Sequence, residues 1–249
     1  MIKKFKKKNI SLLVVIVVLC GVLGCSKHGQ QNVTLENGEI SDLTIKVLSG
    51  KSALFLGDSI TYGMCDYYTN LKTGGWAGRI EYYCGMTVKN NGVNGACISS
   101  KRSDNEEKYI YNNLAKEKGN TYDYIIMHGL YNDAGTGVPI GDSSGPNNFN
   151  PGQVDESTFA GGLELLFYTA KQNHPSAKLG FIINYRTEDG VNCDAHVATA
   201  IQICKEWNIS YLDLYHDDTK IALFDGLHPT AMGYDELYPR IAEWMATLE

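Results

Sequence analysis

The segment Leu54-Phe55-Leu56-Gly57-Asp58-Ser59-Ile60-Thr61-Tyr62-Gly63 begins as an apolar run and breaks at a Gly-Asp-Ser turn. An apolar run bounded in this way is the pattern of a strand buried on both faces, as in a parallel sheet. The turn then delivers a serine to the carboxyl edge of that sheet, where open α/β domains bind their ligands. Taken alone, such a turn is more often a helix cap than a catalytic element. A second segment changes that balance. Asp225-Gly226-Leu227-His228-Pro229 sets a carboxylate and an imidazole three residues apart, the two groups that let a serine hydroxyl attack a carbonyl.

Between these two segments, apolar β-type runs alternate with helical patterns. The periodicity predicts strands over 53–57, 87–91, 124–128, 178–184 and 209–214. Helices are expected near 76–84, 104–118, 156–172 and 193–207, with a last one from Ala231 onward. Such alternation predicts an α/β fold, a three-layer α/β/α sandwich with a mainly parallel five-stranded sheet, flavodoxin-like in strand arrangement. In the helix over 156–172, Phe159, Leu163, Leu166, Phe167 and Ala170 recur at three- and four-residue steps, so one face packs on the sheet. Pro239 predicts a kink or restart in the last helix. The stretch 134–155 is rich in Gly, Pro, Asn and Ser and lacks periodicity. Its length, and its place directly after Asn132-Asp133, favour a substrate-facing lid.

At the start, Lys3, Lys4, Lys6, Lys7 and Lys8 precede an apolar run from Ile10 to Leu23. The run is shorter than the roughly 20 residues a membrane span prefers, so 1–24 reads as an export signal. Val22-Leu23-Gly24-Cys25 resembles the lipobox of bacterial lipoproteins, which implies acylation of Cys25 and a membrane-associated location outside the cytoplasm. Residues 25–50 then read as a polar tether, ending in a short alternating piece at 43–48 that suggests an edge strand, with the domain occupying 51–249. His28 falls in the tether and carries no chemistry. The whole chain has a net charge of −6, and loss of the signal lysines makes it more acidic. That argues against nucleic acid and against electrostatic adhesion to anionic lipid. Beyond Cys25, Cys65, Cys84, Cys97, Cys193 and Cys204 form an odd set with no CxxC pair. Export permits disulfides, but at least one thiol is expected to stay unpaired; Cys84 and Cys204 occupy apolar-periodic positions and read as core.

Four blocks in order, Gly57-Asp58-Ser59-Ile60-Thr61, Asn91-Gly92-Val93-Asn94-Gly95, Asn132-Asp133 and Asp225-x-x-His228-Pro229, resemble those of the SGNH (GDSL-type) hydrolases. The resemblance spans about residues 52 to 248. It implies hydrolysis of esters, on substrates ranging from acyl lipids and thioesters to acetyl groups on polysaccharides. Ser59 is the expected nucleophile, His228 the base and Asp225 the group that orients it. Candidate oxyanion donors are the backbone N–H groups of Ser59 and Gly95 and the side-chain amide of Asn132. From the string alone, Asn132 is about as well suited to bonding its own loop; the resemblance assigns it to the oxyanion. The family pattern Gly-x-Asn-Asp is shifted here, reading Gly129-Leu130-Tyr131-Asn132-Asp133 with its glycine one place early.

His216, followed by Asp217 and Asp218, is the chief rival base, but sequence-adjacent acids point apart in extended chain. His128 ends a strand near Asn132 and is expected to line the pocket, while His174 and His196 read as surface residues on helices. The glycine spacing of an α/β-hydrolase elbow is absent. No phosphate loop and no metal-ligand string is present, so neither a metal nor another cofactor is expected. The sequence therefore predicts an exported, lipid-anchored serine esterase for short acyl groups on small molecules or glycans. A lipase- or thioesterase-like hydrolase is the alternative within the class; a ligand-binding lipoprotein that keeps the fold without catalysis is the alternative outside it.

Overall fold

The computed structural model describes residues 39–66, 74–102, 105–218 and 220–249. The signal segment, Cys25, His28 and the first part of the tether lie outside the described residues. In chain order the elements are α1 (Asp42–Leu48), β1 (Ser52–Gly57), α2 (Ser59–Tyr62), α3 (Gly75–Cys84), β2 (Thr87–Gly92), α4 (Ile110–Ala115) and β3 (Tyr124–Gly129). There follow α5 (Tyr131–Gly135), α6 (Phe159–Asn173), β4 (Lys178–Ile183), α7 (Asp194–Glu206), β5 (Ser210–Asp213) and α8 (Ala231–Ala246). Among the described residues, no helix is long and apolar enough to cross a membrane.

The strands form one parallel sheet in the order β2-β1-β3-β4-β5. The run 53–56 explains why β1 lies inside it: all four side chains are fully buried. Ala53 and Phe55 point into a layer shared with Trp76, Ile80, Ile241 and Trp244 of α3 and α8. Leu54 and Leu56 point the other way, into a layer with Ile110, Leu163, Phe167 and Val197 of α4, α6 and α7. The strand's period of two thus supplies both cores of a three-layer α/β/α sandwich. Removing one large ring, as in Phe55→Ala, is worth about 3–5 kcal/mol. Because β2 and β3 flank β1 on opposite sides, a crevice opens beyond the carboxyl end of β1.

Four local readings change. Residues 42–48 are helical: Ser41 caps α1, and Glu243 of α8 accepts from the Ser41 N–H and, at 2.6 Å, from the Thr44 hydroxyl. The helix expected over 104–118 is broken because Tyr109 is drawn into a bridge with Cys97, so that only Ile110–Ala115 is α-helical. Pro239 does not restart α8, which runs through it as one helix.

The stretch after α5 is no lid over the serine. Its middle is tied to the outer face of α6 and α7, where the fully buried Glu164 carboxylate accepts from the Ser143 hydroxyl, the Ser144 and Gly145 N–H groups and the Trp207 indole. Phe149 packs its ring on Tyr168 and Trp207. Trp207 ends α7, which leads into β5, so this contact lies toward the amino edge of the sheet, opposite the serine. Periodicity could not show this, because the anchor is one acid on a helix that otherwise reads as core.

Candidate active site

The Gly57-Asp58-Ser59 turn is compressed against its surroundings. A Cβ on Gly57 would stand 2.3 Å from Thr61 Oγ1 and 2.8 Å from the His128 carbonyl oxygen, so the end of β1 admits only glycine. Buried Asp58 caps α2 by accepting from the Ile60 N–H at 3.0 Å. Ser59 opens that helix, and its own N–H therefore has no acceptor within it. Beneath the turn lies His128, fully buried rather than lining a pocket. Its Nδ1 is 3.0 Å from Thr61 Oγ1 and its Nε2 3.4 Å from Asn184 Oδ1. Burial pulls this imidazole below its usual value, outweighing the raising effects of Asp58 and Asn184. A neutral ring that donates from Nε2 to Asn184 leaves Nδ1 to accept the Thr61 hydroxyl proton.

Asp225 and His228 share a tight turn between β5 and α8. Phe224 N–H donates to the His228 carbonyl at 2.7 Å and Thr230 N–H to that of Ala222 at 2.9 Å, closing the two ends on each other. From the neighbouring strand end, the Tyr185 hydroxyl donates to the Leu227 carbonyl at 2.7 Å. Inside the turn, Asp225 Oδ1 accepts from the Leu227 and His228 N–H groups at 3.1 and 2.7 Å. Its Oδ2 lies 2.7 Å from His228 Nδ1, and His228 Nε2 lies 2.9 Å from Ser59 Oγ. Partial burial raises the Asp225 carboxyl, but those N–H donors and the imidazole outweigh it and hold the group below the ordinary carboxylate value. An ionised Asp225 takes the Nδ1 proton in its hydrogen bond, which leaves the Nε2 lone pair facing the serine hydroxyl.

Gly95 and Asn132 follow β2 and β3, the strands on either side of β1. Gly95 sits at φ +76° in a turn closed by Ala96 N–H on the Val93 carbonyl at 3.0 Å, a backbone that favours glycine. Asn132 Nδ2 donates to the Ala96 carbonyl at 2.9 Å. One amide hydrogen is thereby spent on holding the Gly95-Ala96 turn, and the second remains for a ligand. At position 130, where the family pattern has glycine, Leu130 adopts φ +113°. The chain keeps at this position the backbone that a glycine supplies while using a buried leucine.

Asp133 was not singled out by sequence reasoning. Its two oxygens accept from the N–H groups of Ile98 and Ser99, both at 2.9 Å, and so tie the segment after Gly95 to α5. Burial pushes its carboxyl up to about 6 despite those donors. The only available signal was its place beside Asn132.

The remaining histidines sort by environment. His216 is half exposed and bonds Asp213 rather than the acids that follow it in sequence. His174 and His196 are buried instead of surface residues, and His196 packs edge-on against Phe159. Cys84 and Cys204 are fully buried, and burial raises both thiols, Cys84 to about 12 with help from Glu243. Cys65, distant in sequence, brings its sulfur to a position where it, a carboxylate oxygen of Asp225 and a ring nitrogen of His228 all lie within 4.8 Å of one another.

Residues 55–236 match the family model described as the GDSL-like lipase/acylhydrolase family. No curated protein matches the chain at comparable significance. Among solved structures it is similar to a protein from Lactobacillus plantarum, at 21% identity and TM-score 0.65 over 80% of this chain and 97% of that one. It is also similar to a carbohydrate acetylesterase from Sinorhizobium meliloti, at 15% identity and TM-score 0.58 over 79% and 98%. A variant of an acetyl xylan esterase from Geobacillus stearothermophilus aligns at 18% identity and TM-score 0.51 over 80% and 96%. At these identities the likeness is one of fold.

Proposed function

Because the chain belongs to the GDSL-like lipase/acylhydrolase family of ester-hydrolysing enzymes, we propose that it is an extracytoplasmic serine esterase removing short acyl groups, acetyl above all, from carbohydrates. The observation that carries the mechanism is the unbroken line from Asp225 Oδ2 to His228 Nδ1, at 2.7 Å, and from His228 Nε2 to Ser59 Oγ, at 2.9 Å. Ser59 attacks the ester carbonyl as His228 takes its proton. His228 then returns that proton to the leaving alcohol, and water repeats the sequence on the acyl-serine. Asp225 holds the tautomer and stabilises the imidazolium. The oxyanion meets the N–H groups of Ser59 and Gly95 and the second amide hydrogen of Asn132, donors that need no reorganisation as charge develops.

Two observations support a sugar as the leaving group. Tyr62 and Phe224, which are 55% and 64% exposed, stand three residues after the nucleophile and one before the acid; exposed rings of this kind stack on sugar faces. Two of the fold's likenesses are also named as esterases of acetylated carbohydrate. The basic start, the short apolar run and the Cys25 lipobox support export and lipid anchoring.

The test uses the full-length chain in mild detergent, assayed on p-nitrophenyl acetate, p-nitrophenyl octanoate and acetylated xylo-oligosaccharides. Acetate is preferred and acetyl release from the oligosaccharide is detected; Ser59→Ala loses about 10⁶-fold in kcat. A preference for octanoate would replace this reading with a lipase. If a fluorophosphonate failed to label Ser59, the chain would instead be a binding protein. Incorporation of radiolabelled palmitate, abolished by Cys25→Ala, tests the anchor.

A further inference from the structure

Cys65 has no part in the ester chemistry, yet it is placed with care. It is 7% exposed and has φ +68°, a left-handed backbone that a side chain rarely adopts. Both neighbours hold it there. On one side the Tyr234 hydroxyl donates to the Met64 carbonyl at 2.9 Å. On the other, the Asp66 carboxylate is gripped by the buried Arg79 guanidinium at 2.6 Å and by the Gly75 N–H at 2.7 Å. The sulfur is thereby fixed where it shares a 4.8 Å cluster with an Asp225 oxygen and a His228 nitrogen.

From this juxtaposition we propose that Cys65, Asp225 and His228 form an inhibitory site for a thiophilic divalent cation, Zn²⁺ in the first place. One thiolate, one imidazole and one carboxylate are a donor set for zinc rather than for magnesium or calcium, and three protein ligands leave the fourth tetrahedral position to water. Zinc–ligand bonds place neighbouring donor atoms roughly 3.5 Å apart, so the cluster closes on the ion with small side-chain rotations. Binding releases the Cys65 thiol proton to solvent. The neutral imidazole loses none: the ion takes one in-plane lone pair and the ring keeps its proton on the other nitrogen, remaining on Nδ1 when Nε2 is the ligand and moving to Nε2 when Nδ1 is. Whichever nitrogen is used, no lone pair remains to accept the Ser59 proton, and the serine is silenced without being touched. The inhibition rests on the serine-esterase reading; the binding does not.

The experiment separates the two. Co²⁺ is titrated into the full-length Ser59→Ala protein in mild detergent and its near-ultraviolet spectrum is followed. Thiolate ligation produces a sulfur-to-cobalt charge-transfer band at one equivalent, which Zn²⁺ displaces and which Cys65→Gly lacks; glycine suits the backbone at that position, so this variant tests the sulfur alone. In the Ser59 enzyme, Zn²⁺ inhibits acetate hydrolysis and a chelator restores it. Cys65→Gly, measured against its own metal-free rate, needs at least about tenfold more Zn²⁺ for half inhibition. Absence of the band overturns the site, as does a band that Cys65→Gly retains. Zinc sensitivity unchanged by Cys65→Gly overturns the inhibitory role. A metal-free enzyme that turns over no ester refutes the esterase reading, whatever the cobalt spectrum shows.

Discussion

Asp133 offers a quantitative test of how the proposed oxyanion side of the site is held together. Its carboxyl is fully buried, accepts two backbone N–H groups and is pushed up to about 6. A group whose folded value lies above its unfolded one favours the fold when protonated. Its contribution is therefore fully present below the unfolded value near 3.8 and is lost as pH rises through about 6. Across that window, ionisation of Asp133 removes on the order of 2 kcal/mol of stability. Asp133→Asn cannot ionise, but it turns an amide N–H2 toward one backbone donor, which costs about 1–3 kcal/mol at every pH. Urea unfolding of both proteins between pH 4 and pH 8 separates the two effects. The variant is the less stable at pH 4, and the gap narrows by about 2 kcal/mol as pH rises through 6. Parallel curves would show that the two N–H groups hold Asp133 ionised in the fold at no such cost, and the reasoning would fail. Asp133→Ala orphans both donors and frees the segment behind Gly95. It should lower kcat by up to about a hundredfold, a loss of the size expected when a catalytic group drifts by an ångström.

The other predictions follow from single contacts. Asp225→Asn keeps the turn but supports the wrong imidazole tautomer, so kcat for acetate hydrolysis falls by about 10⁴. His216→Ala, which touches only the Asp213 turn, leaves kcat within about twofold, since an exposed side chain away from the reacting groups carries none of the barrier. Gly57→Ala drives a methyl group into Thr61 and the His128 carbonyl and lowers the unfolding free energy by about 1–3 kcal/mol, read from its urea midpoint. Glu164→Ala releases residues 143–145 and the Trp207 indole; limited proteolysis then cuts near Ser144 while kcat for p-nitrophenyl acetate is unchanged. A fall in kcat would return the 134–155 stretch to the role of a lid.

The central strands β1 and β3 were legible because each is buried on both faces, and burial of that kind writes itself into composition: 53–56 and 124–127 are apolar throughout and fully buried. Helix ends and loop paths were less so, since each depends on one distant partner. Tyr109 leaves a helical pattern because Cys97 receives it, and 42–48 is helical because Ser41 caps it and Glu243, some two hundred residues on, accepts from the Ser41 N–H and the Thr44 hydroxyl. The polar stretch after α5 looked like a lid because its composition is that of a loop; only the buried Glu164 decides which way it runs. Residues that hold others in place, such as Asp133, Tyr185 and Arg79, have no local pattern at all, because their meaning lies in whichever backbone groups the fold brings to them.

The two Asp-x-x-His turns show where sequence stops determining function. In Asp213–His216, as in Asp225–His228, the first carboxylate oxygen accepts the N–H groups two and three residues on, and the second meets the imidazole Nδ1, at 2.8 and 2.7 Å respectively. Locally they are the same device, an Asx-type turn that orients a ring. Each fixes a tautomer and leaves Nε2 directed away from its aspartate. What separates them is the sheet. The Asp213 turn begins at the end of β5, on an edge strand, whereas the Asp225 turn is carried further along the chain and held down by Tyr185, two residues past the end of β4. Only the second reaches the serine at the end of β1. Orientation of the base is therefore a local property written in four residues, and its reactivity is a property of strand order.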